Sequence, residues 1–162
     1  MAPSLPDALR ALEGPVCWVG LGNVDLGDDG FGVRLAEALA REGCPRVVVA
    51  GTTPERWIGS LAGDGCARVV FLDAVELAGE PGAVVWMEAA DLEARYPQVS
   101  THKLSLGMLA RMLEARGVRA SLLGVKPQSL RPGAGLSDPV RRTLGLLTGM
   151  LNDALCLPGV AE

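Results

Sequence analysis

Four polar residues stand beside apolar or turn-forming segments, and each has a side chain able to bind a metal. Asp28 and Asp29 lie in Gly20-Leu21-Gly22-Asn23-Val24-Asp25-Leu26-Gly27-Asp28-Asp29-Gly30, between an apolar run and a helical pattern. Asp73 directly follows the run Arg68–Leu72 (RVVFL), and His102, the chain's only histidine, stands in Ser100-Thr101-His102-Lys103-Leu104. Two carboxylates and one imidazole near strand ends suit a divalent transition metal with open coordination positions. Each residue also has a plainer reading. Asp is favoured at helix starts, a lone acid after a strand often finishes a turn, and an isolated histidine often caps a helix or faces solvent. On this view Asp28 caps the next helix and holds the turn, while Asp29, one position on, faces the crevice.

Other chemistries fit less well. G-x-G after a strand and before a helix resembles a dinucleotide fingerprint, but that motif wants glycine where this chain has Asp25. Carboxylates at Asp28 and Asp29 would also repel a pyrophosphate from the helix N-terminus. One histidine excludes the two-His zinc sites of common metalloproteases. No G-x-S-x-G elbow supports Ser-His-Asp catalysis.

The elements that must position these residues follow from hydrophobic patterning. Val16–Gly20, Arg46–Ala50, Arg68–Leu72, Ala83–Met87 and Ala120–Val125 read as strands. Helices are expected over about Gly30–Arg41, Pro54–Leu61, Leu104–Arg116 and Ser137–Leu155, with Ser137 as an N-cap. In the third of these, Leu106, Leu109, Met112 and Leu113 make the apolar face. Strands built almost wholly of Val and Leu need cover on both faces. The expected fold is therefore α/β, a single-domain three-layer sandwich with an open, mostly parallel, five-stranded twisted sheet and helices on both faces. The domain takes in residues 1–162, with a core at about 16–155 and an N-terminal extension (1–15) that forms a short helix over Leu5–Leu12. Open sheets of this kind bind ligands at the carboxyl ends of their strands. The stretch Lys126–Gly135 (KPQSLRPGAG) is a loop.

Composition narrows the class further. Aromatic residues are only 4%, so the core must rest on Val, Leu and Ala. A net charge of −4 argues against a nucleic-acid surface, which needs clustered basic charge. No apolar run reaches the roughly 18–20 residues that span a bilayer, so membrane insertion is not expected. The N-terminal stretch lacks the basic start and apolar core of a secretion signal, and the expected location is the cytoplasm. Cys17, Cys44, Cys66 and Cys156 form no C-x-x-C pair, and Cys17 reads as a small buried hydrophobe. A monomer is the default.

Five ordered segments resemble the hydrogenase maturation endopeptidases, the proteases that trim the large subunit of nickel–iron hydrogenases. These are Val19–Gly32 (VGLGNVDLGDDGFG), Gly51–Glu55 (GTTPE), Leu72-Asp73-Ala74 with Gly79–Gly82 (GEPG), Ser100–Leu106 (STHKLSL), and Leu123–Leu130 (LGVKPQSL) with Gly135-Leu136-Ser137. The resemblance runs from about Val16 to Leu151. Ala50 departs from it, since several members have an acidic residue there.

The resemblance implies an endopeptidase that removes a short C-terminal peptide from the nickel-loaded precursor of the large subunit. It implies that Asp29, Asp73 and His102 are the metal contacts and the catalytic set, and that the metal they meet is the substrate's nickel. Other divalent ions such as Zn or Cd would occupy the same donors. Cleavage would proceed by metal polarisation of the scissile carbonyl, by activation of a bound water, or with an Asp as general base. Backbone N–H groups of Gly20–Asn23 and Gly51-Thr52-Thr53 are candidates to line the peptide or an oxyanion. The alternative from another class is a non-catalytic docking or carrier protein for the same precursor.

Overall fold

The computed structural model describes residues 3–95 and 105–155. Its centre is a five-stranded sheet of β1 (Val16–Leu21), β2 (Val47–Gly51), β3 (Arg68–Ala74), β4 (Val84–Glu88) and β5 (Arg119–Val125). The spatial order is β2-β1-β3-β5-β4, with β4 antiparallel to β5 and every other pairing parallel. The six α-helices among the described residues are α1 (Leu5–Arg10), α2 (Phe31–Arg41), α3 (Ile58–Gly63), α4 (Ala89–Arg95), α5 (Leu106–Glu114) and α6 (Asp138–Leu155). This is the expected α/β sandwich, with helices on both faces of a mostly parallel sheet.

All seven residues of β3 are buried, because helices cover both its faces. Val69 and Phe71 point into one core with Ile58 and Leu61 of α3, Leu92 of α4, and Leu106, Leu109 and Leu113 of α5. Val70 and Leu72 point into the other core with Leu9 of α1, Phe31, Leu35 and Leu39 of α2, and Val140, Leu147 and Leu151 of α6. The period-2 alternation that a half-exposed strand would show is therefore absent, as buried parallel strands require.

Three details differ from the sequence reading. Met112 is 37% exposed, while Ala110 completes the buried face of α5 with Leu106, Leu109 and Leu113. The spacing 106, 109, 110, 113 keeps one helical face, and Met112 falls on its flank. The helix also begins later than predicted, because Ser105 is its N-cap and its Oγ accepts from Met108 N at 3.2 Å. The short α4 was not predicted. A seven-residue helix has almost no intrinsic stability, and α4 is held by tertiary burial of Leu92.

From β1 the chain passes through α2 outward to β2, then returns through α3 past β1 to β3. The strand order reverses between β1 and β3. A crevice at their carboxyl ends follows from that topology.

Candidate functional site

The first turn carries β1 into α2 with little room to spare. Gly22 has φ +118°, and a Cβ there would lie 1.9 Å from the Asp29 carbonyl oxygen, so only glycine fits. A Cβ on Gly32 would lie 1.9 Å from Leu72 O and 2.5 Å from Leu21 O. The first turn of α2 is thus seated directly on the ends of β1 and β3. Asp29 is just ahead of that turn and Asp73 just after Leu72, so the two carboxylates share one edge of the sheet.

Asp28 and Asp29 occupy a 3₁₀ turn over Gly27–Gly30, and neither caps α2, whose N-cap is Gly30 with no side-chain bond. The expected capping role of Asp28 is corrected here. Asp28 is fully buried, and its carboxylate reaches the loop after β5. Oδ2 accepts from Gln128 N at 2.8 Å, Ser129 N at 3.1 Å and Ser137 Oγ at 2.8 Å. Oδ1 accepts from Ser137 N at 2.7 Å. A buried carboxylate needs such donors to offset its lost hydration. Asp28 N also donates to Ser129 O at 2.8 Å.

Asp29 is half-buried. Its Oδ2 accepts from Asn23 N at 2.8 Å, and Oδ1 has no hydrogen bond among the described residues. One oxygen is fixed by the turn, and the other is uncommitted among the described residues. Asp73 is 3% exposed, and its Oδ1 accepts from Ala74 N at 2.9 Å. In the β3–β5 register it lies opposite Gly124. His102 lies outside the described residues, so the geometry joins two of the three predicted residues and is silent on the third. Among the described residues no three His, Cys, Asp or Glu groups form a cluster able to hold a metal.

The backbone donors offered by the sequence reading are largely committed. Gly22 N donates to Gly51 O at 2.9 Å, Asn23 N to Asp29, and Thr53 N to Ala50 O at 3.2 Å. Those three are not free to bind an oxyanion. The Gly22–Gly51 bond joins the end of β2 to the first turn, and the other two close their own turns.

Two roles at this edge were missed from sequence. The tie from Asp28 crosses about a hundred positions, and no local spacing announces it. Glu55, in the loop after β2, has a buried Oε2 without a hydrogen-bond partner among the described residues. Such groups are rare in native interiors, and the GTTPE segment was its only signal. Around the edge stand exposed apolar side chains: Leu26 in the first turn, Trp57 after β2 and Leu130 after β5.

The fold has counterparts among known proteins. The family model for hydrogenase maturation protease (HycI) matches residues 33–153, a span that includes Asp73 and His102 and starts just beyond the first turn. The Escherichia coli hydrogenase 2 maturation protease is 28% identical over 131 residues, covering 75% of this chain and 79% of the relative. The E. coli hydrogenase 3 maturation protease is 27% identical over 123 residues, covering 75% and 78%. Among solved structures, a nickel–iron hydrogenase maturation protease HycI from Thermococcus kodakarensis superposes with a TM-score of 0.83 at 28% identity, covering 95% of this chain and all of that one. The hydrogenase maturating endopeptidase HybD from E. coli gives 0.72 at 26% identity, covering 90% and 94%. The chain belongs to the hydrogenase maturation protease family and is a hydrolase of peptide bonds.

Proposed function

We propose that this protease removes a short C-terminal peptide from the nickel-loaded precursor of a nickel–iron hydrogenase large subunit, and that Asp29, Asp73 and His102 recognise the nickel. The observation that carries the reading is the division of labour in the first turn. Asp28 is consumed by four structural hydrogen bonds, whereas Asp29 keeps one oxygen available at the edge it shares with Asp73.

In this reading the nickel arrives as part of the substrate. Two carboxylates and one imidazole make a modest donor set, suited to sharing a metal supplied mainly by substrate thiolates. The metal then acts as a checkpoint. A precursor without nickel lacks the contact that aligns its scissile bond, and alignment alone accounts for a large share of many catalysed rates. The attacking water is activated by the shared metal or by one of the two Asp carboxylates acting as general base. Zn²⁺ or Cd²⁺ would meet the same donors in place of nickel. The carrier alternative does not account for a chain that belongs to a protease family.

The test is a precursor-processing assay read by the mass lost with the C-terminal peptide. Loss of an outer partner of a metal ligand already costs about 10–100-fold, so Asp29→Ala and His102→Ala should each slow cleavage by at least about that factor. Nickel-free precursor should stay intact with the wild-type enzyme. Undiminished processing by both variants, or ready cleavage of nickel-free precursor, would remove the metal-recognition reading.

A further inference from the structure

The loop between β5 and α6 is attached to the first turn through one side chain. Three backbone N–H groups and one hydroxyl of that loop converge on the fully buried Asp28 carboxylate. The backbones also meet directly. A Cβ on Gly27 would lie 2.6 Å from Ser129 O, Asp28 N donates to Ser129 O at 2.8 Å, and Gly133 N donates to Asp25 O at 2.9 Å. The next residue along the chain is Asp29. On the outer side of the same junction, Leu26 is 37% exposed and Leu130 45% exposed.

We propose that Asp28 is a positioning residue that holds the Gln128–Ser137 loop as one wall of the substrate path beside Asp29. The precursor reads that wall, with Leu26 and Leu130 as its apolar contacts. The proposal rests on the processing function above and adds the part of the chain that sets precursor affinity. Asp28 itself touches no substrate; it acts through the loop. A wall that is preformed does not have to be ordered when the precursor binds. If the loop were released, binding would have to select the fraction of molecules in which it is in place, and apparent affinity would fall by that fraction.

The carboxylate chemistry makes the isosteric variant informative. An Asn at position 28 has one acceptor oxygen and one NH₂ group. If its oxygen takes the Oδ2 place, the NH₂ faces Ser137 N–H; if it takes the Oδ1 place, the NH₂ faces Gln128 and Ser129 N–H. Either way a donor meets a donor. The loop loses part of its attachment while the side chain keeps its volume.

The experiment measures kcat and KM for nickel-loaded precursor together with amide hydrogen exchange over residues 126–137. For Asp28→Asn the expected result is a KM raised about tenfold with kcat kept within about threefold, and faster exchange in this segment but not in β1 or β3. Leu130→Asp, an exposed change, should raise KM similarly with exchange unaltered. Ser137→Ala removes one of the four donors and should give a smaller KM rise, which keeps the proposal testable if Asp28→Asn does not fold. Unchanged KM in both Ser137→Ala and Leu130→Asp would overturn the proposal, as would a fall in kcat alone for Asp28→Asn. Asp29→Ala serves as the control. If that variant and His102→Ala both cleave normally, the metal-recognition reading fails; if Asp29→Ala is inactive while the loop variants bind precursor normally, only the wall proposal fails.

Discussion

Two adjacent aspartates with the same side chain have different fates, and surroundings decide which. Asp28 turns inward to four donors, and Asp29 turns to the edge with one donor. The same rule operates at the far end of the sheet. Glu88 of β4 accepts from Trp86 Nε1 at 3.0 Å, Ser121 Oγ at 2.8 Å and Arg68 Nη1 at 2.8 Å, and Arg68 also donates to Ser121 Oγ. Burial pushes the Glu88 carboxyl up, but the three donors and the guanidinium charge outweigh it and hold the group below its ordinary value of 4.5. A depressed folded-state pKa means that Glu88 contributes stability above the unfolded value, and that this contribution is lost as pH falls through the folded one. Urea midpoints of the wild type and Glu88→Gln should therefore differ most near about pH 7 and converge as the pH is lowered through the depressed folded-state value, where the wild-type carboxyl takes up its proton. A gap between them that is constant across this range would refute the assignment.

At the scale of elements, glycines in two helices make the contrast between packing and propensity. Gly32 lets α2 sit on the ends of β1 and β3, and the atoms that a Cβ would meet are backbone carbonyl oxygens. Gly145 and Gly149 in α6 have nothing within 4 Å of a built Cβ. Gly32→Ala should cost about 3 kcal/mol, at the upper end of overpacking effects. Gly145→Ala and Gly149→Ala should each stabilise by about 0.5–1 kcal/mol through helix propensity alone. Equilibrium urea unfolding measures all three, and destabilisation by the α6 changes would show that the helix face is not as open as described. The same Gly32 packing brings the first turn beside Asp73, so this variant should lose processing as well as stability.

For the molecule as a whole, the two helical layers seal the central strands β1, β3 and β5 from water. Cys17 lies in the core between β1 and the α3–α5 layer. Burial, reinforced by the neighbouring Cys66 sulfur, pushes its thiol up to about 12. Nucleophilic attack needs the thiolate, so Cys17 should stay unlabelled by an alkylating reagent in the folded protein and react once urea unfolds it. Peptide mapping at several times would show its labelling following global unfolding; rapid native-state labelling would mean that this core opens locally. Among the described residues no helix is long and apolar enough to cross a membrane.

Much of this architecture was legible in the sequence. Runs such as RVVFL and ASLLGV carry their burial on both faces in their composition. The G-L-G-N turn declares a tight strand-to-helix junction, and Asp73 declares its place by following a strand. These are local properties, set by backbone geometry and by the period with which side chains alternate. The resemblance of five ordered segments pointed to the family, which the comparisons then showed. The tertiary structure alone decided what lies between distant segments: that α4 forms, that Met112 turns outward, and that Gly22, Asn23 and Thr53 spend their N–H groups inside the fold. It also decided that Asp28 belongs to a loop a hundred residues away rather than to its own helix. A carboxylate at a helix start looks the same in sequence whether it caps or clamps, because the donors that choose between the two are brought to it only when the chain folds.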